Sequence, residues 1–285
     1  MKYLLLLVLP LCLFASFPKV HFPLTTDPVD VVIPCSPKDL ETLDLCIEGI
    51  RENGQNIRRV IVVSSKKLTD KAEWFDEGLY PFTKQDLALE IFGGDEPAAR
   101  QFLEKPGSRI GWIYQQFLKF YAPLVIPDIS PNVLMLDSDV IFFRPVTFVK
   151  EDGGPLFAPG YEYVQEYFDY MRRLLPGLEK AHPQYSGVSH HMLFQRPIVE
   201  DLFALVSAHH QMEPWKALCR CIKREALDLS CMSEYEIYFH FTLRRTDQGS
   251  TRTLRWLDIS SLRLIAPYRK SGYHYVACHE WRRSW

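Results

Sequence analysis

An excess of charge of either sign is missing from this sequence. Its 285 residues carry 33 Lys and Arg against 35 Asp and Glu, a net of −2 with the nine His neutral. That balance argues against a dedicated nucleic-acid binder, which normally shows a basic face. Internal repeats and low-complexity stretches are absent too. Hydrophobic residues make up 47% and charged residues 24%, near the globular average, which excludes a disordered tail, a collagen-like fibre and a coiled coil. The N-terminal apolar run, Tyr3 to Phe17, falls short of the roughly 20 residues a membrane-spanning helix needs. Coming after Met1 and Lys2, it has the pattern of the first two regions of a secretory signal. The small residues wanted for cleavage are missing around Leu13-Phe14-Ala15, and Cys12 after Leu9-Pro10-Leu11 is a weak lipoprotein signal. Residues 1–17 therefore read as a signal peptide, a short membrane anchor or a buried first strand, and the chain as exported or membrane-associated. Residues 18–28, with their prolines, read as a linker.

The seven Cys include no C-x-x-C pair. Cys35 and Cys46 lie in apolar settings and read as small core hydrophobes. Cys219, Cys221, Cys231 and Cys278 leave three readings open: disulfide partners in an exported chain, a zinc site, or plain packing.

The remaining roughly 250 residues suffice for one large α/β domain or two small ones. Val29 to Ile33 is a β-branched run that predicts a buried strand. Ser36-Pro37-Lys38-Asp39 starts a helix, Leu40, Leu43, Ile47 and Ile50 carry its apolar face, and Asn53-Gly54 ends it. Val60 to Val63 is a second strand, so the domain opens on a βαβ unit. Further helices are expected at 83–92, 96–105, 110–121, 162–175, 197–208, 215–226 and 234–243. Strands are expected at 133–136, 140–143, 253–259, 262–267 and 273–278. No linker divides these elements, so the fold class is a single α/β domain over 29–285 with a mixed sheet flanked by helices.

The sharpest signal is Asn132-Val-Leu-Met-Leu-Asp137-Ser138-Asp139-Val-Ile-Phe-Phe143, two carboxylates set between two apolar runs. In an α/β sheet, ligands sit at the carboxyl ends of strands. Two carboxylates at i and i+2 of an extended chain point to one side and repel. A hard divalent cation, Mg²⁺ or Mn²⁺, relieves that repulsion and can also hold a diphosphate. Two solvated Asp in a turn would be the plainer alternative.

This order of motifs resembles the GT-A-fold glycosyltransferases, and segments of it resemble a bacterial family of predicted glycosyltransferases. Besides Asp137-Ser138-Asp139, the resemblance is carried by Val31-Val32-Ile33-Pro34 with its capped helix and by Gly111-Trp-Ile-Tyr-Gln115-Gln116-Phe-Leu-Lys119. It continues in Ser189-His190-His191-Met192 and Ser233-Glu234-Tyr235-Glu236. The resemblance implies a metal-dependent transfer from a nucleotide-diphosphate sugar to a glycan, lipid or protein acceptor. It implies Asp139 as a metal ligand and Asp137 on the ribose, the metal or both. Lys119 is turned toward the diphosphate or Asp137. Gln115 and Gln116 contact the donor sugar, although one of two adjacent Gln must point elsewhere. Pro34, Ser36 and Lys38 lie near base and ribose, with Ser64 and Ser65 as weaker candidates.

The resemblance further implies a third metal ligand, a His near the end of the core: His279 at the end of a strand, with His190 and His191 as rivals, one of the pair facing the cleft and the other away. It also implies a carboxylate base near Glu234, while a capping box from Ser233 accounts for Glu236. Stereochemistry stays open. Tyr161, Tyr163 and Trp215 are either acceptor-side aromatics or core. Two rival readings remain. One is a glycan-binding domain with a degenerate transferase fold. The other is a haloacid-dehalogenase-type phosphatase with Asp137 as nucleophile and Asp139 as acid/base.

Overall fold

A computed structural model describes residues 18–279, so the apolar run at 1–17 and the basic tail after His279 lie outside the described residues. In chain order the elements are β1 (Val29–Pro34), α1 (Leu40–Asn53), β2 (Ile57–Ser64), β3 (Glu73–Asp76), α2 (Lys84–Ile91), α3 (Glu96–Glu104) and α4 (Ile110–Val125). Then come β4 (Asn132–Leu136), β5 (Val140–Phe142), β6 (Leu156–Phe157), α5 (Gln165–Leu174), β7 (His191–Gln195) and α6 (Arg196–His210). The chain continues through α7 (Pro214–Arg220), α8 (Glu234–Arg245), β8 (Ser250–Thr251), β9 (Trp256–Asp258), α9 (Ile265–Lys270) and β10 (Tyr275–Ala277). This is one α/β domain with a mixed central sheet flanked by helices.

The central sheet has the order β3-β2-β1-β4-β7; β7 is antiparallel and the others are parallel. Near-continuous apolar runs in β1, β2 and β4 send successive side chains to opposite faces and bury the sheet on both. Val32, Ile61, Val63, Val133 and Met135 face one core with α4, α6 and α8. Val31, Ile33, Val62, Leu134 and Leu136 face a second core with α1. Gly49 is required there: a Cβ on it would lie 2.9 Å from the Phe142 backbone, where α1 crosses β5. Asp30 is the one charge on β1, and its buried carboxylate is gripped by Arg58 Nε (2.9 Å) and the Ser130 N–H (2.9 Å).

A smaller sheet, β5-β10-β9, flanks the central one, and β6 pairs with β8. The stretch expected as a linker is packed onto the body: Phe22 is buried, and Asn132 Nδ2 donates to the Thr25 and Asp27 carbonyls (3.0 and 2.9 Å). No described helix is long and apolar enough to cross a membrane. The strand expected at 262–267 is instead a capped turn running into α9; Leu262, Leu264, Ile265 and Tyr268 pack one-sidedly on Val276. β3 escapes the sequence pattern because its residues form no buried apolar run, and β7 because it enters α6 with no intervening turn. Helix α7 stops at Arg220, six residues before its expected end. Cys219, Cys221, Cys231 and Cys278 are buried thiols that form no disulfide among the described residues and pack in the core.

Phe194 on β7 is fully buried and stacks on Tyr238 of α8 at 4.1 Å between centroids. Phe194→Ala should therefore cost about 3–5 kcal/mol of unfolding free energy, read by urea denaturation.

Candidate active site

Several chain segments end at one edge of the two larger sheets. β4 runs into Asp137-Ser138-Asp139, β1 into Cys35 and Ser36, β9 ends on Asp258, and β10 leads through Cys278 to His279. β7 is antiparallel, so its beginning arrives at the same edge, and the Asp137 N–H donates to the His190 carbonyl (3.0 Å). Register fixes the convergence. Ala277 lies opposite Val140 of β5 and Asp258 of β9, and the Cys278 N–H donates to the Asp139 carbonyl (2.9 Å). This edge lies between β1 and β4, where strand order reverses, the place ligands occupy in open α/β sheets.

A cleft of about 990 Å³ opens there. Pro34, Ser36, Lys38, Gln115, Gln116, Lys119, Asp137, Asp139, His190, Glu234 and His279, all expected from sequence, line it. His191 does not. His190 adopts a left-handed backbone (φ +63°), which turns its ring to the cleft while His191 enters the core against Phe142 and Tyr275. The expectation that the pair splits is met, and His191 drops out of the site. Ser64 is buried, its hydroxyl donating to the Lys66 carbonyl (2.7 Å), and Ser64 and Ser65 do not line the cleft. Trp215 packs on Phe82 and belongs to the core.

Two charge clusters divide the cleft. The first is cationic at its centre. Lys119, 2% exposed, donates to Asp137 Oδ1 (2.5 Å) and to Glu234 Oε1 (2.7 Å), with its ammonium 4.2 Å from the Tyr235 ring centre. Burial works against its charge, yet the two carboxylates raise its pKa above the ordinary lysine value. One ammonium cannot neutralise both carboxylates. Burial also opposes the Asp137 anion, but Lys119 and then His190 hold it well below the usual carboxylate range. Glu234 is the partner pushed upward by burial, with Lys119 offsetting only part.

Both Asp137 oxygens are engaged, one with Lys119 and the Tyr235 hydroxyl (3.3 Å), the other near His190 Nδ1 (3.4 Å). Glu234 Oε1 accepts from the same ammonium. Asp137 and Asp139 also do not form an extended pair: the Val140 N–H donates to the Asp137 carbonyl (3.2 Å), and this tight turn sends the two side chains to different partners. The Ser233 cap is present, accepting from the Glu236 N–H (3.3 Å). The Glu236 carboxylate, however, holds Ser186 Oγ (2.5 Å) and the Gly187 N–H (2.9 Å) rather than completing a capping box. Gln116 is turned inward to the Glu234 N–H (3.4 Å), and Gln115 donates to the Pro34 carbonyl (3.4 Å).

The second cluster is anionic. One ligand atom each from His190, Asp258 and His279 lies within 4.8 Å of the others. His279 Nδ1 is 2.7 Å from Asp139 Oδ2, and its Nε2 is 3.3 Å from Asp258 Oδ1. Burial disfavours the imidazolium, but Asp139 and Asp258 overcome it and raise the His279 pKa to about 10. Asp139 Oδ1 is buried without a hydrogen-bond partner among the described residues. A buried carboxylate oxygen left unmatched beside two imidazoles and a second carboxylate fits a divalent cation, which Asp139, Asp258, His190 and His279 could hold. Asp258 was missed from sequence; the signal was the apolar strand Trp256-Leu257 ending on a carboxylate, the pattern that singled out Asp137.

Lys119→Met leaves two buried carboxylates facing each other, and should cost about 3–5 kcal/mol in urea unfolding. His191 gives a pH signature. Burial first, and then the charge of Arg252, lower its pKa from 6.5 to about 3. The unfolded chain binds that proton below about pH 6.5 while the folded chain refuses it, so stability falls as pH drops through this window. The slope from this one group is about 1.4 kcal/mol per pH unit, and His191→Phe should remove it from urea midpoints measured between pH 4 and 6.5. Compared with known proteins, the chain matches no family model and no curated sequence.

Proposed function

We propose that the protein is a metal-dependent glycosyltransferase of GT-A-like fold that moves a sugar from a nucleotide-diphosphate donor to a hydroxyl acceptor. One observation carries this reading. A single cleft joins the loop after β1 to an Asp139-centred cluster whose unmatched carboxylate oxygen suits a cation. Its volume of about 990 Å³ is at the upper end of small-molecule sites, roughly 300–1,000 Å³, as a nucleotide with an attached sugar requires.

Pro34, Ser36 and Lys38 would flank base and ribose, and Gln115 would meet the donor sugar. Asp139, Asp258, His190 and His279 would hold Mn²⁺ or Mg²⁺, and a bound cation there supplies Lewis-acid neutralisation of diphosphate charge. Lys119 contributes by position: it fixes Asp137 and Glu234, so the charged walls are set before any ligand arrives. Acceptor hydroxyls could belong to a glycan, a lipid or a protein, and the apolar run at 1–17 would tether or export the domain.

The test is a screen of common nucleotide sugars with and without Mn²⁺, reading nucleoside diphosphate release. At least one donor should turn over in a Mn²⁺-dependent way, and Asp139→Ala should lower the rate at least about 100-fold. Equal rates in the variant would remove Asp139 from the site. Phosphate release from a simple phosphomonoester would favour the phosphatase reading instead, and glycan binding without turnover the degenerate-fold reading.

A further inference from the structure

Away from the cleft, positive charge gathers with no acid opposite it. Between Ser250 and Ala277 the chain carries Arg252, Arg255, Arg263, Arg269 and Lys270 against a single acid, Asp258. That acid lines the cleft, and none of the five cations does. Nor does any of the five form an ion pair among the described residues. Arg252 is the sharpest case. Its Nε and Nη2 are buried without a hydrogen-bond partner among the described residues, and its guanidinium carbon lies 6.0 Å from the Phe148 ring centre. Burial alone lowers its pKa from 12.5 to about 10, with no carboxylate offsetting it. Buried donors are normally satisfied, and leaving one unmatched on a charged group is costly.

Strand register brings three more donors to this end of the small sheet. β10 is its central strand, and His274 stands just ahead of it. The His274 N–H donates to the Arg255 carbonyl (2.8 Å), and its carbonyl accepts from the Phe143 N–H (2.7 Å). Arg255 on one side and Arg144 on the other therefore emerge beside it, at the end opposite Asp258 and His279. Their guanidiniums meet over the turn before β10: a Cβ on Gly272 would lie 3.4 Å from Arg255 Nη1 and 3.8 Å from Arg144 Nη2. The Tyr273 ring, 4.9 Å from the Arg255 guanidinium carbon, holds that group in place. Gly272 (φ +81°) follows Ser271 (φ −84°, ψ 8°), a right-handed then left-handed succession that makes an anion-binding concavity of backbone N–H groups. His274 Nδ1 accepts from the Arg255 N–H (3.0 Å), which leaves Nε2 to carry the ring proton. Arg252 approaches from the Phe148 side; that ring meets Phe142 at 6.0 Å, and Phe142 packs at 5.2 Å on Tyr275, the neighbour of His274. After burial, the charge that most opposes protonation of His274 is that of Arg252, followed by Arg144 and Arg255.

We propose that Arg144, Arg252, Arg255 and His274 form a second binding site, one that takes the phosphate group of a ligand. A tetrahedral oxyanion offers acceptors in several directions, and guanidiniums grip it through paired N–H donors. It would satisfy the buried Arg252 nitrogens and neutralise cations that no acid of the described chain reaches. None of the four residues lines the cleft, so the site does not depend on the glycosyltransferase reading. The phosphate can belong to a free small molecule or to a lipid headgroup, and the chemistry recognised is the same.

The full chain is titrated calorimetrically with inorganic phosphate in chloride buffer without added metal, and binding should saturate. Arg252→Met keeps an apolar stem and discards the unmatched donors, so it should fold at least as well as wild type yet bind phosphate at least about tenfold more weakly. Replacing Arg144 and Arg255 together by Ala should weaken binding as much, whereas Arg109→Ala, in the cleft, should leave it unchanged. Phosphate should also raise the urea midpoint of wild type and not that of Arg252→Met. Vesicles identify the source. Sedimentation with phosphatidylcholine alone is compared with phosphatidylcholine containing phosphatidic acid, so that any contribution of residues 1–17 is common to both. Extra binding to phosphatidic acid that is lost in Arg252→Met assigns the phosphate to a lipid, and phosphate binding without it assigns a free ligand. The Arg252 Nε and Nη2 are buried, so diffuse surface attraction would survive that substitution. A wild type that binds neither phosphate nor phosphatidic acid, an Arg252→Met that binds as wild type does, or an equal loss in Arg109→Ala would each overturn the site.

Discussion

Lys119 keeps a full positive charge inside α4 because Asp137 from the end of β4 and Glu234 from the start of α8 both reach it. Removing Lys119 would leave two buried carboxylates uncompensated, whereas losing either carboxylate leaves the ammonium its other partner. The triad therefore does more than fill space. It ties a helix, a strand end and a second helix together at the floor of the cleft, and the Tyr235 ring covers the ammonium from the α8 side. With Asp137 claimed by Lys119, the carboxylate two residues on, Asp139, is the one left to face His279. Both charge clusters follow from that division of labour.

The second cluster depends on pairing rather than on helices. β5, β10 and β9 deliver Asp139, His279 and Asp258 to one edge only because Ala277 sits opposite both Val140 and Asp258. A slip of one residue in β10 would turn its side chains to the other face. His190 reaches the same place by a different device, a left-handed residue just ahead of β7. Such a conformation costs a non-glycine residue of order 1–3 kcal/mol and persists only where its surroundings impose it. Here the Asp137 N–H bonded to the His190 carbonyl is part of that imposition.

Much of this was legible in the sequence, and the reasons for the gaps are physical. The β1–α1–β2 unit announced itself through β-branched runs and a helix-start pattern, and the apolar frame around Asp137 and Asp139 located the cleft. Lys119 was expected to face a diphosphate or Asp137, but that Asp137 and Asp139 turn to different partners was not legible, because it depends on a turn closed by the Val140 N–H. Asp258 was passed over because its apolar strand is only Trp256-Leu257, and its meaning comes from His190 and His279 elsewhere in the chain. Glu234 had the right residue type and place, but its partner Lys119 lies 115 residues away. The stretch at 262–267 was misread because apolar residues serve a strand or a one-sided short helix equally well.

Strand β10 is central in its sheet, yet it is drawn from residues 275–277, well over a hundred positions after the β5 edge it covers. During vectorial synthesis β5 must wait with that edge uncovered until those residues have cleared the ribosome. The anionic cluster therefore cannot be assembled until β10 has been made. A nascent chain halted before β10 would display Asp139 without His279 and β5 without its partner strand, and that unpaired edge would be open to a neighbouring chain.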